Sequence, residues 1–74
     1  MNAEYVVVVE KSESGFAAYV PDLPGCVAAG ETRDETLTLI RESIELHVES
    51  LRAAGENVPA PISTAERVAV HIAA

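Results

Sequence analysis

The sequence predicts a small α+β domain with the element order β-β-β-α-β. Three observations carry that prediction. Tyr5 to Val9 is an unbroken run of one aromatic residue and four valines, a composition that favours a strand. Phe16 to Val20 alternates in character, with Phe16, Ala18 and Val20 on one face and Ala17 and Tyr19 on the other. From Thr32 onward the apolar residues recur at helical spacing until Gly55.

Each element has local signals at its ends. Glu10 to Gly15 is polar and ends in glycine, which reads as a hairpin turn between the first two strands. Pro21 and Pro24 then stop the ladder, because neither can donate a backbone hydrogen bond. Pro24-Gly25 is a turn signal, and Cys26 to Ala29 is a short third strand of small residues closed by Gly30. Thr32 is the expected helix N-cap. Glu35 stands three residues later as a capping box, and Asp34 adds negative charge to the first turn. The helix is expected from Arg33 to Ala54, with Gly55 as its left-handed stop and Pro59 and Pro61 preventing resumption. Val68, Val70 and Ile72 alternate with Ala69, His71 and Ala73, which predicts a fourth strand.

The helical spacing gathers Leu37, Ile40, Ile44, Val48 and Leu51 on one side, the stripe that covers a sheet. Leu39 and Leu46 fall nearly opposite it, one heptad apart. A helix lying alone on a sheet has no use for leucines there, so both are candidate contacts with another copy of the chain. Two hairpin steps and a right-handed crossover set the topology. If the last strand pairs beside the first, the sheet order is 3-2-1-4, and the valine-rich strand is interior. One sheet face takes the helix. The other, carrying Val7 or its neighbours with Ala17 and Tyr19, is bare in a monomer, which makes Tyr19 a further oligomer candidate.

Composition narrows the function. At 74 residues the chain is one domain, 1–74, of a size that buries only about 60% of its unfolded surface. A single cysteine allows no internal disulfide, and with two histidines it makes a poor zinc set. Packing, or a second chain, must supply the stability. Twelve acidic and five basic residues give a net charge of −7. That balance argues against direct nucleic-acid binding, which needs Lys and Arg against phosphate, and suits a basic protein partner. No stretch approaches the roughly 20 apolar residues of a membrane span, and the start lacks the basic region of a signal peptide. A cytoplasmic protein is expected.

Catalytic chemistry is not expected, and neither is a cofactor or metal. Most of the carboxylates fall in turns, at the helix start or along a helix flank, and none lies inside a predicted strand, so no cradle for a metal nuclease is laid out. Nothing in the sequence puts His47 or His71 beside Cys26 as a base, and a cysteine after Pro-Gly in a small-residue strand reads as a buried hydrophobe. The four glycines are accounted for as turns and caps, leaving no phosphate loop.

Taken in order, the valine-rich strand, the hairpin ending in Gly15-Phe16, the corner Pro21-Asp22-Leu23-Pro24-Gly25-Cys26, Gly30-Glu31-Thr32, the capped helix, and Gly55 with Pro59-Ala60-Pro61 resemble the HicB family of antitoxins in its N-terminal partner-binding domain. The resemblance runs from about Tyr5 to Pro61. It implies a partial ribonuclease-H-like fold that lacks the catalytic carboxylates. It also implies a type II toxin–antitoxin role, in which the chain occludes the RNA-binding surface of a small basic HicA-like toxin that cleaves RNA with a histidine. Similar proteins form homodimers or higher oligomers. Many continue into a DNA-binding module, and none is expected within these 74 residues, so autorepression by direct DNA binding is not expected. The partner surface is placed at loops on the rigid sheet: the turn around Glu10 and Glu13 and the corner around Asp22 and Leu23. The alternative is a solitary oligomeric HicB-like module that binds another protein or a small ligand.

Overall fold

The computed structural model describes residues 2–73. Three strands and one helix follow in the order β1 (Val8–Ser12), β2 (Gly15–Tyr19), β3 (Val27–Gly30) and α1 (Arg33–Ala53). The strands form one antiparallel sheet in the order β1-β2-β3. The register pairs Val9 with Ala18 and Ala18 with Ala28, so these three point to the helix side. The next residues, Glu10, Ala17 and Ala29, point away.

The core is small. Ala18, Val20, Leu23, Cys26 and Ile40 are buried, and Tyr5, Val7, Val9, Ala28, Leu37, Ile44 and Val48 pack around them. Short residues in β2 and β3 let α1 sit close over these two strands. Thr36 is buried as well, and its hydroxyl donates to the Thr32 carbonyl at 2.8 Å and lies 3.5 Å from the Phe16 carbonyl.

The helix ends as expected. Thr32 is extended at φ −120°, ψ 161°, and its hydroxyl accepts from the Glu35 N–H at 3.1 Å. At the other end Gly55 takes φ 71°. Its N–H donates to the Arg52 carbonyl and the Glu56 N–H to the Leu51 carbonyl, the paired bonds of a Schellman stop.

Three expectations change. The strand foreseen at Tyr5 to Val9 is formed at Val8–Ser12 instead. Tyr19 is the last paired residue of β2, so nothing stands opposite Tyr5, Val6 or Val7, while Glu10 to Ser12 gain partners down to a two-residue turn at Glu13-Ser14. Val7 belongs to the helix side, so the bare face is lined by its neighbour Val8 with Tyr19 and Val27. The fourth strand is not formed: no residue from 66 to 73 is in a strand, and the observed order is β1-β2-β3 without a fourth member. The helix is followed by a chain that crosses the end of the sheet rather than lying beside β1.

Candidate functional site

The corner between β2 and β3 is built from two consecutive turns. The Leu23 N–H donates to the Val20 carbonyl at 3.1 Å, closing a turn with Pro21 at its second position. The Cys26 N–H donates to the Leu23 carbonyl at 3.0 Å, closing a second turn. There Pro24 presets φ, and Gly25 at φ 85° supplies the left-handed residue of a type II turn. The Val20 N–H donates to the Cys26 carbonyl at 3.2 Å and closes the whole corner. This folding drives the Leu23 side chain inward, where it is fully buried. Leu23 therefore holds the corner from beneath and offers no surface to a partner.

Asp22 stands on the rim of the same corner and is held. Ser63 donates its backbone N–H to Oδ2 at 2.8 Å and its hydroxyl to Oδ1 at 2.7 Å. The backbone bond from Ser63, then its hydroxyl, and in smaller measure the Ile62 backbone lower the Asp22 carboxyl below its usual 3.8, against a smaller opposing effect of burial. A lowered carboxyl strengthens the folded state above its unfolded value near 4 and loses that contribution as pH falls through the folded value. The Ser63 amide resonance is accordingly expected to stay constant from neutral pH to about pH 4. Below that it should move with a midpoint under 3.8, followed by a two-dimensional amide NMR titration. A midpoint at or above 3.8 would remove the clasp. Sequence reasoning missed Ser63, which lies 41 residues from Asp22 with no local signal linking them. It also missed the bond from the Tyr5 hydroxyl to the Pro59 carbonyl at 2.6 Å.

The candidate residues are spread over several surfaces. Glu10 is exposed on β1 opposite Ala17, and Glu13 is exposed in the hairpin turn. Asp22 and Leu23 lie beyond the other end of β2, about 17 Å from the turn at Glu13 at the rise of a five-residue strand, with Glu10 midway between. Tyr19 is exposed on the bare sheet face between Val8 and Val27. Leu39 and Leu46 are on the outer side of α1, 36% and 68% exposed. Tyr19 and the two leucines thus lie on opposite sides of the domain and form no common patch. Cys26 is buried, with Sγ 3.5 Å from the Ser43 hydroxyl. Among the described residues no three His, Cys, Asp or Glu side chains gather closely enough to hold a metal, and no helix is long and apolar enough to cross a membrane.

A shallow groove of mixed lining is open beside Tyr5, with Asn2, Glu45 and Glu49 at its rim. Its walls include Ile44, Val48 and Arg52 of α1 and Val58 of the following chain. It is the place where the apolar stripe of the helix runs past the three-stranded sheet.

This arrangement, a three-stranded antiparallel sheet with a folded corner and a single capped helix, has close counterparts. A family model described as HicB_like antitoxin of bacterial toxin-antitoxin system matches residues 5–71. The chain belongs to the HicB-like antitoxin family. Its fold is similar to the N-terminal domain of the antitoxin HicB of Burkholderia pseudomallei, at 41% identity and a TM-score of 0.71 over 78% of this chain and 69% of that one. It is also similar to a chain of a HicA3 and HicB3 toxin-antitoxin complex, at 32% identity and a TM-score of 0.70 over 81% of this chain and 70% of that one. Among curated sequences, a UPF0150 protein of Thermoplasma acidophilum is 39% identical over 69 residues, 92% of this chain and 97% of its own length. The HicB-like family match takes in the whole ordered series of features that carries the resemblance in sequence, from the valine-rich strand through the corner and the capped helix to Pro61.

Proposed function

We propose that this HicB-like chain is the antitoxin of a type II toxin–antitoxin pair, a cytoplasmic binding protein that occludes a small basic HicA-like toxin. One observation carries the reading: the family match over residues 5–71, seconded by the likeness to a chain of a HicA3 and HicB3 complex. The net charge of −7 supports it, since carboxylates can stand where the RNA phosphates would lie on a basic toxin. The order of three strands and a helix agrees with a partial ribonuclease-H-like scaffold that has kept its frame and serves binding in place of catalysis.

Exposed Glu10, midway along β1, and Glu13 in the hairpin turn are the proposed contacts, with the Asp22 rim of the corner as a second point and Leu23 fixing its shape. Self-association is proposed through the outer helix face at Leu39 and Leu46 and through the bare sheet face at Tyr19. The test is a search of the adjacent reading frames for a small basic chain and co-expression with it, followed by co-purification and an RNA-cleavage assay. The expected result is a complex in which cleavage is suppressed. A neighbour that neither co-purifies nor is inhibited overturns the reading. In the complex, Glu10→Lys with Glu13→Lys is expected to slow association about tenfold and flatten its salt dependence, read by stopped-flow at several ionic strengths. An unchanged rate would move the contact elsewhere.

A further inference from the structure

We propose that residues 64–73 form an exchanged arm that pairs along the free edge of β1 in a second copy of this chain, as the fourth strand of that copy's sheet. The proposal is independent of toxin binding.

Four observations lead to it. The arm is apolar at alternate positions yet touches water throughout: Val68, Val70 and Ile72 are 77%, 71% and 83% exposed. Alternation of this kind is what a strand half-buried on a sheet carries. The arm also projects. The long axis of 54 Å exceeds the roughly 31 Å of a 21-residue helix, and the radius of gyration of 14.7 Å exceeds the roughly 11 Å of a compact chain of this length.

The receptor is the second observation. Among the described residues β1 pairs only with β2, so its outer edge presents N–H and C=O groups open to another strand. The run Tyr5 to Val9 is apolar on both faces, as suits an interior strand. Beside it lies the open groove of Tyr5, Ile44 and Val48. A strand added there would place Val68, Val70 and Ile72 on the groove side and Ala69 and His71 on the other, continuing the face of Val8 and Tyr19.

The third observation directs the arm outward. The chain passes Tyr5 at Pro59 and is then clasped by Asp22 at Ser63. That path leads from the β1 side to the corner beyond β2. The arm starts at the corner past β2, displaced from its own β1 edge across the end of the sheet. The fourth is stoichiometry: a second copy always supplies both an arm and an edge, so two chains satisfy each other reciprocally. Each sheet then has the order 3-2-1-4 with the fourth strand contributed by its partner.

The test uses the full chain in light scattering and sedimentation over a range of concentrations, with NMR on a mixture of labelled and unlabelled chains. Wild type is expected at twice the chain mass, with filtered contacts from Val70 and Ile72 methyls of one chain to Ile44 and Val48 of the other. Val70→Asp, at an exposed position outside the core, should leave the circular dichroism of the body unchanged and weaken dimerisation at least tenfold. Leu39→Glu with Leu46→Glu should retain the arm-exchanged dimer and affect only assembly beyond it, through the outer helix face. A wild-type monomer at every concentration overturns the proposal, as does a dimer indifferent to Val70→Asp. Contacts from the arm only to its own chain would show that it folds back, which overturns it equally.

Discussion

Leu23→Ala is expected to lower the unfolding free energy by about 3 kcal/mol, near the middle of the range for emptying a fully buried leucine site. The magnitude follows from position. Leu23 is fully buried under the corner, and among the described residues the core around it has four other buried apolar residues. The wall it leaves behind is held by three backbone bonds and two prolines, so the cavity cannot close by a small shift. A domain of this size is stable by roughly 4–11 kcal/mol, so the loss is a large share of the total. Thermal unfolding followed by circular dichroism should show a fall of about 15 °C. Leu46→Ala is the matched comparison: the same atoms are removed from an exposed helix position, and the expected change is within about 0.5 kcal/mol. Similar losses at the two sites would contradict the buried corner.

Gly15→Ala is expected to cost about 3 kcal/mol, at the upper end for forcing extra volume into a packed site. A Cβ at Gly15 would fall onto the Gly30 carbonyl oxygen, and Cα of Glu31 would stand 3.1 Å away. These are backbone atoms where β3 leaves the sheet for the helix cap, so relief requires moving the strand. Gly25→Ala separates this cause from another. A Cβ there meets nothing within 4 Å, but φ is 85°, and the expected cost is the roughly 1–2 kcal/mol of a left-handed alanine. Urea unfolding of the two variants should rank Gly15 well above Gly25. The reverse order would mean that conformation rather than crowding governs these turns.

Most of the fold was legible because its elements are specified by neighbours in sequence. Thr32 and Gly55 bracket the helix with residues that act on their own turn, and both caps form as expected. The face of β2 that meets the core follows from simple alternation. What was not legible depends on a partner far away in the chain. The valine run marks residues suited to burial, but the extent of β1 is decided by where β2 stops. Val68, Val70 and Ile72 carry the pattern of a strand, and a pattern does not say which edge it will meet. The candidate contacts were harder still. Loop position alone does not reveal that Leu23 turns inward or that Asp22 is already taken by Ser63, since both depend on how the corner closes in three dimensions.

The Asp22–Ser63 clasp also sets an order of assembly. Every strand pairing joins consecutive elements, and the helix packs on the strands just before it, so the body needs only short loop closures and belongs among quickly folding topologies. The two side-chain bonds that span 41 residues, with the Tyr5–Pro59 bond that spans 54, are the exceptions. They add long closures for few contacts, so they are expected to form after the sheet and helix and to open before them. The segment beyond the helix is therefore the piece of the chain that can detach and reseat while the rest stays folded.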